Sequence, residues 1–304
     1  MAILVDSSTP VVIQGITGLS GRRRVGFLKE AGTNIVAGVT PGRGGENVSG
    51  IPVYHTVREA ADRHPGLAAS LILVPAGAAK EAVFEAIDAG IKVIVFIAER
   101  MPQHDTMEVI AVSRAAGVFC VGPNSPGIIC PGKANLGGLG GRIDMMRLMF
   151  KPGRIGLISR SGGNAGTLAY YIGKHGHGIS TGVGVGGDAF TGCTWVDLMK
   201  LFEEDPETDA VVAYGEIGGV YEENAAAMIA AGKFTKPFVC YIGGRNARAG
   251  MRFGHAGAII ARGMGDAEHK RAALRAAGAA VVDHLDEIGA AMTEALGRHQ
   301  GRKS

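Results

Sequence analysis

The sequence has little that would mark an exported or membrane-bound protein. Its 304 residues contain no stretch of about 18 uncharged apolar residues, the length that a membrane-spanning helix needs. The start of the chain, Met-Ala-Ile-Leu-Val-Asp, lacks the basic and apolar segments of a signal peptide. The four cysteines are scattered without the spacing of a metal site, at Cys120, Cys130, Cys193 and Cys240. These absences predict a cytoplasmic protein with reduced thiols, no membrane attachment and no bound metal.

Strong charge of either sign is also absent. The net charge of +3 at pH 7 is too small to indicate a nucleic-acid partner. The one basic run, Arg22 to Arg24, is short and has no interleaved aromatic residues. Glycine, by contrast, is abundant. The 49 glycines follow no fixed period and cluster at the ends of apolar runs, where the backbone turns tightly or approaches a ligand.

Short β-branched segments alternate with helical segments in both halves of the chain. The length favours two domains, each able to bury its own core. We predict strands at 11–14, 34–39, 70–75, 92–97 and 117–121, and again at 154–159, 210–214, 237–242 and 280–282. The alternation predicts an α/β protein with two open parallel sheets. The predicted domains are residues 1–130 and 152–304, joined by a glycine- and proline-rich linker of loops at 131–151.

A glycine-rich turn follows the first predicted strand directly. Gly15, Gly18 and Gly21 are spaced as in loops that place backbone N–H groups and a helix N-terminus against a phosphate. A dinucleotide is the usual ligand of such a turn, but no acidic residue ends the second strand to hold a ribose. Arg43 lies in the loop after that strand instead, which suits a ribose phosphate, as in coenzyme A (CoA) or NADP.

A histidine and a carboxylate in glycine-rich surroundings are the candidate catalytic pair. His255 has only small neighbours, so several partners could approach it, and a neutral imidazole can accept and release a phosphoryl group. Glu216, within Gly-Glu-Ile-Gly-Gly, could orient the imidazole and offset its positive charge. Ser161, Gly162 and Gly163 follow a strand and open a helix, and the motif context favours an anion site there over an ordinary cap by Ser161.

These motifs together resemble a known family. The order of GVTPGRGG (38–45), GPNSPG (122–127), SRSGG (159–163), VGGD (185–188), GEIGG (215–219) and GHAGAII (254–260) is similar to that in the alpha subunit of succinyl-CoA synthetase and the related nucleoside-diphosphate-forming acyl-CoA synthetases. The resemblance implies a Rossmann-like CoA-binding domain followed by a flavodoxin-like ligase domain.

The resemblance also implies the sites. It assigns CoA to Gly15, Thr17, Gly18, Leu19, Ser20, Gly21, Arg22, Pro41, Arg43, Val74, Pro75, Ala76, Ile97, Ala98, Glu99 and Asn124. His255 would accept a phosphoryl group from ATP or GTP and pass it to the acid. The CoA thiol would then displace the phosphate from the resulting acyl phosphate. Ser161, Gly162 and Gly163 would hold that phosphoryl group. The nucleotide and Mg²⁺ would be bound by a beta subunit, because no ATP-grasp domain fits within this chain.

Two features depart from the family pattern. Ser20-Gly21-Arg22-Arg23-Arg24 stands where the family usually has a Gln-Gly-Thr-Phe-His-like segment, and the arginines could contact phosphates or simply solvate a helix face. The helix start at Gly162 and Gly163 resembles the ATP-citrate lyase and citryl-CoA synthetase branch instead of the succinate enzymes. We expect succinate or a close dicarboxylate as the substrate, then citrate, then malate. A nicotinamide-dependent oxidoreductase and a non-catalytic CoA sensor are the alternatives from other classes.

Overall fold

The first half of the chain forms a seven-stranded sheet of the dinucleotide-binding type. A computed structural model describes residues 3–245, 247, 255–259 and 265–301. The elements of the first half are β1 (Val11–Gln14), α1 (Leu19–Glu30), β2 (Ile35–Val39), β3 (Asn47–Val48), β4 (Ile51–Tyr54), α2 (Val57–Arg63), β5 (Ala69–Ile72), α3 (Ala76–Asp88), β6 (Val93–Phe96), α4 (Gln103–Ala115) and β7 (Phe119–Val121). The strand order is β3-β4-β2-β1-β5-β6-β7. Apart from the short antiparallel β3–β4 pair, the strands are parallel.

This order reverses direction between β1 and β5, where open α/β sheets bind ligands at the carboxyl ends of the strands. β1, β5 and β6 are buried along their whole length, because helices cover both faces of the sheet. Their continuous apolar sequences are the reason that the strands can be predicted.

The second half forms another seven-stranded sheet. Its elements are β8 (Gly127–Cys130), β9 (Ala134–Gly137), α5 (Ile143–Met149), β10 (Pro152–Ser159), α6 (Gly162–Lys174), β11 (Ile179–Gly184), α7 (Trp195–Glu204), β12 (Ala210–Glu216), α8 (Tyr221–Ala230), β13 (Phe238–Gly243), α9 (Ala267–Ala276), β14 (Ala280–Val282), a 3₁₀ turn (Leu285–Glu287) and α10 (Ile288–Gly301). The strand order is β14-β13-β12-β10-β11-β8-β9. Its five parallel strands follow the flavodoxin order, which confirms the predicted class.

The segment predicted as a linker of loops is more ordered than expected. β8 and β9 form a hairpin that joins the edge of the second sheet by antiparallel pairing with β11. α5 lies within the same segment. Proline and glycine near 123–152 suggested loops, but the strands between them are short and fully buried. The second sheet is therefore mixed, while the boundaries at 130 and 152 remain a prediction.

Buried contacts connect the hairpin to the first half. Thr33 Oγ1 donates to the backbone oxygen of Asn135 at 2.8 Å and accepts from the Asn135 backbone N–H at 3.0 Å. Both residues are buried. The four cysteines are buried and unpaired, and no described helix is long and apolar enough to cross a membrane.

Candidate functional site

The predicted catalytic pair is in direct contact. Glu216 is the last residue of β12, and His255 lies beside it. Nδ1 of His255 is 2.8 Å from Oε2 and 3.0 Å from Oε1 of Glu216. This hydrogen bond is the largest influence raising the pKa of His255, while partial burial and the charge of Arg160 oppose the rise. Because the carboxylate occupies Nδ1, Nε2 is the ring nitrogen left for chemistry.

A buried arginine completes this group. Arg160, directly after β10, is 2% exposed, and its Nε lies 3.3 Å from Oε1 of Glu216. Its Nη1 donates to the backbone oxygen of Gly218 at 3.3 Å, and its guanidinium lies 5.5 Å from the ring centroid of Tyr221. The sequence analysis gave Arg160 no role. Its position in the sequence could have indicated this contact. Arg160 directly follows the apolar strand β10, and a charge that is buried there needs a counter-ion. Glu216 ends β12, the neighbouring strand, and supplies it.

A second carboxylate network holds the backbone of Glu216. Its N–H donates to Oε1 of Glu222 at 3.1 Å. The other carboxylate oxygen of Glu222 accepts from Nζ of the buried Lys270 at 2.5 Å. Glu216 is therefore fixed at its backbone and at its side chain, which leaves the carboxylate little freedom to move away from the imidazole.

A close backbone approach positions the other side of the imidazole. A Cβ atom built on Gly187, which follows β11, would lie 2.6 Å from both Cγ and Cδ2 of His255. The Gly257 N–H donates to the Gly187 oxygen at 3.0 Å and ties the histidine segment to this strand end. Asp188, the last residue of the VGGD motif, accepts from Asn124 Nδ2 at 2.9 Å.

The predicted phosphoryl site opens toward the histidine. The Ser161 hydroxyl caps α6 by accepting from the Asn164 N–H at 3.4 Å. No acidic residue lies in the first turn of this helix. Ser161, Gly162, Gly163 and His255 line one cavity of about 400 Å³. The helix N-terminus thus presents backbone N–H groups to the space beside the imidazole, an arrangement that favours an anion.

Residues that follow β6 and β7 of the first sheet also line this space. Ile97 and Glu99 follow β6, and Asn124 follows β7; all three line the 400 Å³ cavity. A neighbouring cavity of about 560 Å³ is lined by Glu99, Asn124, Asp188 and His255, among others. The carboxyl ends of strands from both sheets therefore meet at the histidine.

The predicted CoA residues follow adjacent strands of the first sheet. Thr17 Oγ1, after β1, donates to Thr40 Oγ1, after β2, at 3.1 Å. Gly15 has φ of +81°, and a Cβ atom there would lie 2.9 Å from the Leu73 oxygen, after β5. The first glycine is required by both its conformation and this contact. α1 begins at Leu19 with no side-chain cap and no acidic residue in its first turn.

Two of the predicted arginines share one carboxylate. Arg43 Nη1 is 3.1 Å and Arg22 Nη2 is 3.6 Å from the Glu46 side chain. Arg22 Nε also donates to the Thr17 oxygen at 2.9 Å. Two half-exposed guanidinium groups around one carboxylate leave a net positive charge beside the glycine-rich turn.

Not every predicted CoA residue lies at the histidine. Of the described residues in that set, the two cavities beside His255 are lined by Ile97, Glu99 and Asn124. The rest lie along the sheet edge, in the turn after β1, at the start of α1, in the loop after β2 and at the start of α3. The residues away from the histidine are Gly15, Thr17, Gly18, Leu19, Ser20, Gly21, Arg22, Pro41, Arg43, Val74, Pro75 and Ala76. Ala98 is buried after β6. Gly254, beside His255, lies outside the described residues.

Comparison with known proteins identifies the family. Residues 6–100 match the family model described as a CoA binding domain, and residues 158–280 match the model described as a CoA-ligase. The chain is 49% identical over 296 residues to the succinate–CoA ligase [ADP-forming] subunit alpha 2 of Archaeoglobus fulgidus, covering 97% of this chain and 100% of the relative. It is 47% identical over 298 residues to the corresponding alpha subunit of Aquifex aeolicus, covering 97% and 95%. The chain belongs to the succinate–CoA ligase alpha-subunit family.

Members and neighbours of this succinate–CoA ligase family act on other acids. A subunit of an ADP-forming sulfoacetate-CoA ligase from Bilophila wadsworthia is 42% identical over 297 residues, covering 98% of this chain and 100% of the relative. The structure of a Methanosaeta concilii ATP citrate lyase in complex with (3S)-citryl-CoA aligns with a TM-score of 0.90 at 26% identity, covering 99% of this chain and 52% of that one. Membership in the ligase family favours a ligase over a nicotinamide-dependent oxidoreductase.

Proposed function

We propose that this chain is the alpha subunit of an ADP- or GDP-forming carboxylate–CoA ligase in which His255 carries a phosphoryl group. The observation that supports this most is the hydrogen bond of 2.8 Å between His255 Nδ1 and Glu216 Oε2. This contact leaves Nε2 as the ring nitrogen available for chemistry, and His255 lines the same cavity as the N-terminus of α6, which favours an anion.

The proposed reaction has three steps. The Nε2 lone pair attacks the terminal phosphorus of the nucleoside triphosphate, and the nucleoside diphosphate leaves. A carboxylate oxygen of the acid then attacks that phosphorus, which gives an acyl phosphate and returns the electron pair to Nε2. Finally the CoA thiolate attacks the acyl carbon, and inorganic phosphate leaves.

Glu216 and the start of α6 have distinct roles in these steps. The imidazole becomes positively charged when Nε2 bonds to phosphorus, and the Glu216 carboxylate on Nδ1 stabilises that charge. The N–H groups at Gly162 and Gly163 would receive the phosphoryl oxygens. Arg160 balances the charge of Glu216 and holds it against the ring.

The first sheet would bind CoA. Its carboxyl edge combines the glycine-rich turn, the uncapped start of α1 and the Arg22–Arg43 pair around Glu46, which suit phosphate groups. Asn124 and Glu99 lie at the cavity beside His255, so a thiol arm running along this edge would end there. The other predicted CoA residues would contact the nucleotide and the arm between these points.

The partner and the nucleotide also belong to the proposal. The relatives are named as alpha subunits, and we infer that a beta subunit with an ATP-grasp domain binds ATP or GTP with Mg²⁺ and completes a cytoplasmic enzyme. Succinate or a close dicarboxylate is the first candidate acid. Sulfoacetate enters because a relative at 42% identity is named for it, and citrate and malate remain further candidates.

A reconstituted assay tests this function. The chain and its beta partner are combined with ATP or GTP, Mg²⁺, CoA and, in turn, succinate, sulfoacetate, citrate and malate. We expect one acid to give a CoA thioester, and the product to disappear with His255→Ala. A complex that binds CoA but forms no thioester from any acid, with no phosphate on His255, would support the CoA-sensor alternative instead.

A further inference from the structure

A positive side chain from the first domain reaches the cavity of His255. Arg24, in α1, lines the 400 Å³ cavity, and its Nη1 donates to the backbone oxygen of Gly137 at 2.9 Å. A Cβ atom on Gly138 would lie 2.5 Å from the same Nη1, so the glycine leaves the room that this guanidinium uses. Arg22 and Arg23 of the same basic run are exposed, whereas Arg24 is half-buried.

The charge of Arg24 lacks a counter-ion in the described part of the chain. No described carboxylate oxygen lies within 4.0 Å of its guanidinium, although Glu99 lines the same cavity. The other guanidinium of the cavity, that of Arg160, is paired with Glu216. Burial lowers the pKa of Arg24, yet a guanidinium stays charged at physiological pH. Arg24 thus retains N–H donors and an unbalanced charge for an anion.

We propose that Arg24 binds the distal anionic group of the acid substrate and thereby selects short acids with two anionic groups. This inference rests on the proposed function. The reacting carboxylate must come to the phosphoryl group beside His255, so the other end of the acid occupies the remainder of the cavity. A guanidinium fork matches the oxygen pairs of a carboxylate or a sulfonate.

Selectivity for acids with two anionic groups follows from the unpaired charge of Arg24 that a monocarboxylate would leave in the site. A monocarboxylate would reach His255 but would leave the half-buried charge of Arg24 without a partner. Sites built to bind a polar group reject analogues that lack it for this reason. The proposal therefore predicts discrimination between succinate and butyrate, which match in carbon number and differ in the second carboxylate.

The experiment uses the complex with the beta subunit and separates two half-reactions. His255 is first phosphorylated with ATP and Mg²⁺ in the absence of acid and CoA. Its dephosphorylation is then followed at increasing concentrations of succinate, sulfoacetate or butyrate. Arg24→Gln should be phosphorylated as the wild type is, while its kcat/KM for the preferred two-anion acid falls about 10- to 100-fold. Its rate with butyrate should stay the same, and Arg24→Lys should recover part of the loss.

A matched control addresses the structural role of Arg24. Arg147, in α5, is 3.2 Å from Glu30 in α1, so Arg147→Gln also removes a contact between the two halves but lies outside the cavity. We expect it to behave as the wild type does. Equal losses with succinate and butyrate in Arg24→Gln, or no loss with the preferred two-anion acid, would overturn the inference.

Failure of the proposed function would be recognised separately. It would appear as a wild-type complex whose His255 takes no phosphate. Titration calorimetry of succinate and sulfoacetate into the unphosphorylated complex then still tests Arg24. Weaker binding of the preferred acid by Arg24→Gln supports its role, and equal affinity contradicts it.

Discussion

The hydrogen bond between His255 and Glu216 couples the reactivity of the imidazole to pH. In the proposed reaction the neutral ring is the nucleophile, and Glu216 raises the pKa of that ring. Phosphorylation should therefore become faster as the pH rises through the pKa of the folded protein. The same contact stabilises the fold fully below the pKa of the unfolded chain, and this contribution is lost as the pH rises through the higher folded value.

Glu216→Gln tests this coupling. The amide removes the negative charge, so the pKa of His255 should fall and the pH–rate profile should move to lower pH. The plateau rate should also fall, by about 10- to 100-fold, because the charge-assisted hydrogen bond to the imidazolium is lost. Initial rates of phosphate incorporation from ATP across the neutral range give both quantities. A profile that keeps the wild-type midpoint would contradict the assigned role of Glu216.

Arg160 is expected to matter for stability as well as for the site. Arg160→Met leaves Glu216 buried without its cation, and breaking a buried ion pair in this way costs about 3–5 kcal/mol. Urea unfolding of the isolated chain measures the change. Arg154→Gln is the control, because the Arg154–Asp209 pair is largely exposed and such pairs contribute less than about 1 kcal/mol. Equal effects of the two substitutions would contradict a buried ion pair at Arg160.

At the scale of elements, the end of β11 positions the histidine by leaving space for it. Gly187→Ala would place a methyl group 2.6 Å from the ring position, so the imidazole must move away from Glu216. We expect phosphorylation to fall at least about 10-fold, as misplacement of a reacting group does, while CoA binding is retained. Gly297→Ala in α10, where nothing lies within 4 Å, is the control. Wild-type phosphorylation in Gly187→Ala would show that this contact does not position the ring.

Strands that are continuous apolar runs between helices could be predicted from the sequence, and strands among turn residues could not. β1, β5 and β6 are such buried runs, and their positions follow from the sequence directly. The strands of the β8–β9 hairpin are equally short and equally buried, but the hairpin was missed because they lie among glycines and prolines, which are typical of loops. Its pairing with β11 is a tertiary contact that local sequence does not encode.

The candidate site was predictable to a similar extent. An imidazole and a carboxylate, each in glycine-rich surroundings, were sufficient to select His255 and Glu216 as a candidate pair. The structure places the two side chains in contact. Arg160 was assigned no role, and Arg24 was left open between a phosphate contact and a solvated helix face, because charged residues beside an apolar strand or in a basic run are usually solvated. Only the pairing of Arg160 with Glu216, and the entry of Arg24 into the cavity, distinguish them from surface charges.

At the scale of the whole molecule, two α/β sheets direct the carboxyl ends of their strands toward one space. The cavity is lined by residues that follow β6, β7 and β10, together with His255 beside β12. Neither sheet alone supplies both the edge suited to CoA and the candidate phosphoryl site. The two halves are held together by buried contacts, which include the two hydrogen bonds between Thr33 Oγ1 and the backbone of Asn135. We propose that the assembled molecule transfers a phosphoryl group through one nitrogen of His255.

The most direct measurement is the position of phosphate on the imidazole. The complex with its beta subunit is incubated with ATP and Mg²⁺ without acid or CoA, and ³¹P and ¹⁵N NMR spectra of histidine-labelled protein are recorded. We expect a single phosphohistidine, bonded at Nε2 of His255, that disappears when the acid and CoA are added. Phosphate at Nδ1, phosphate on another residue, or no phosphate in a complex that still forms thioester would contradict it.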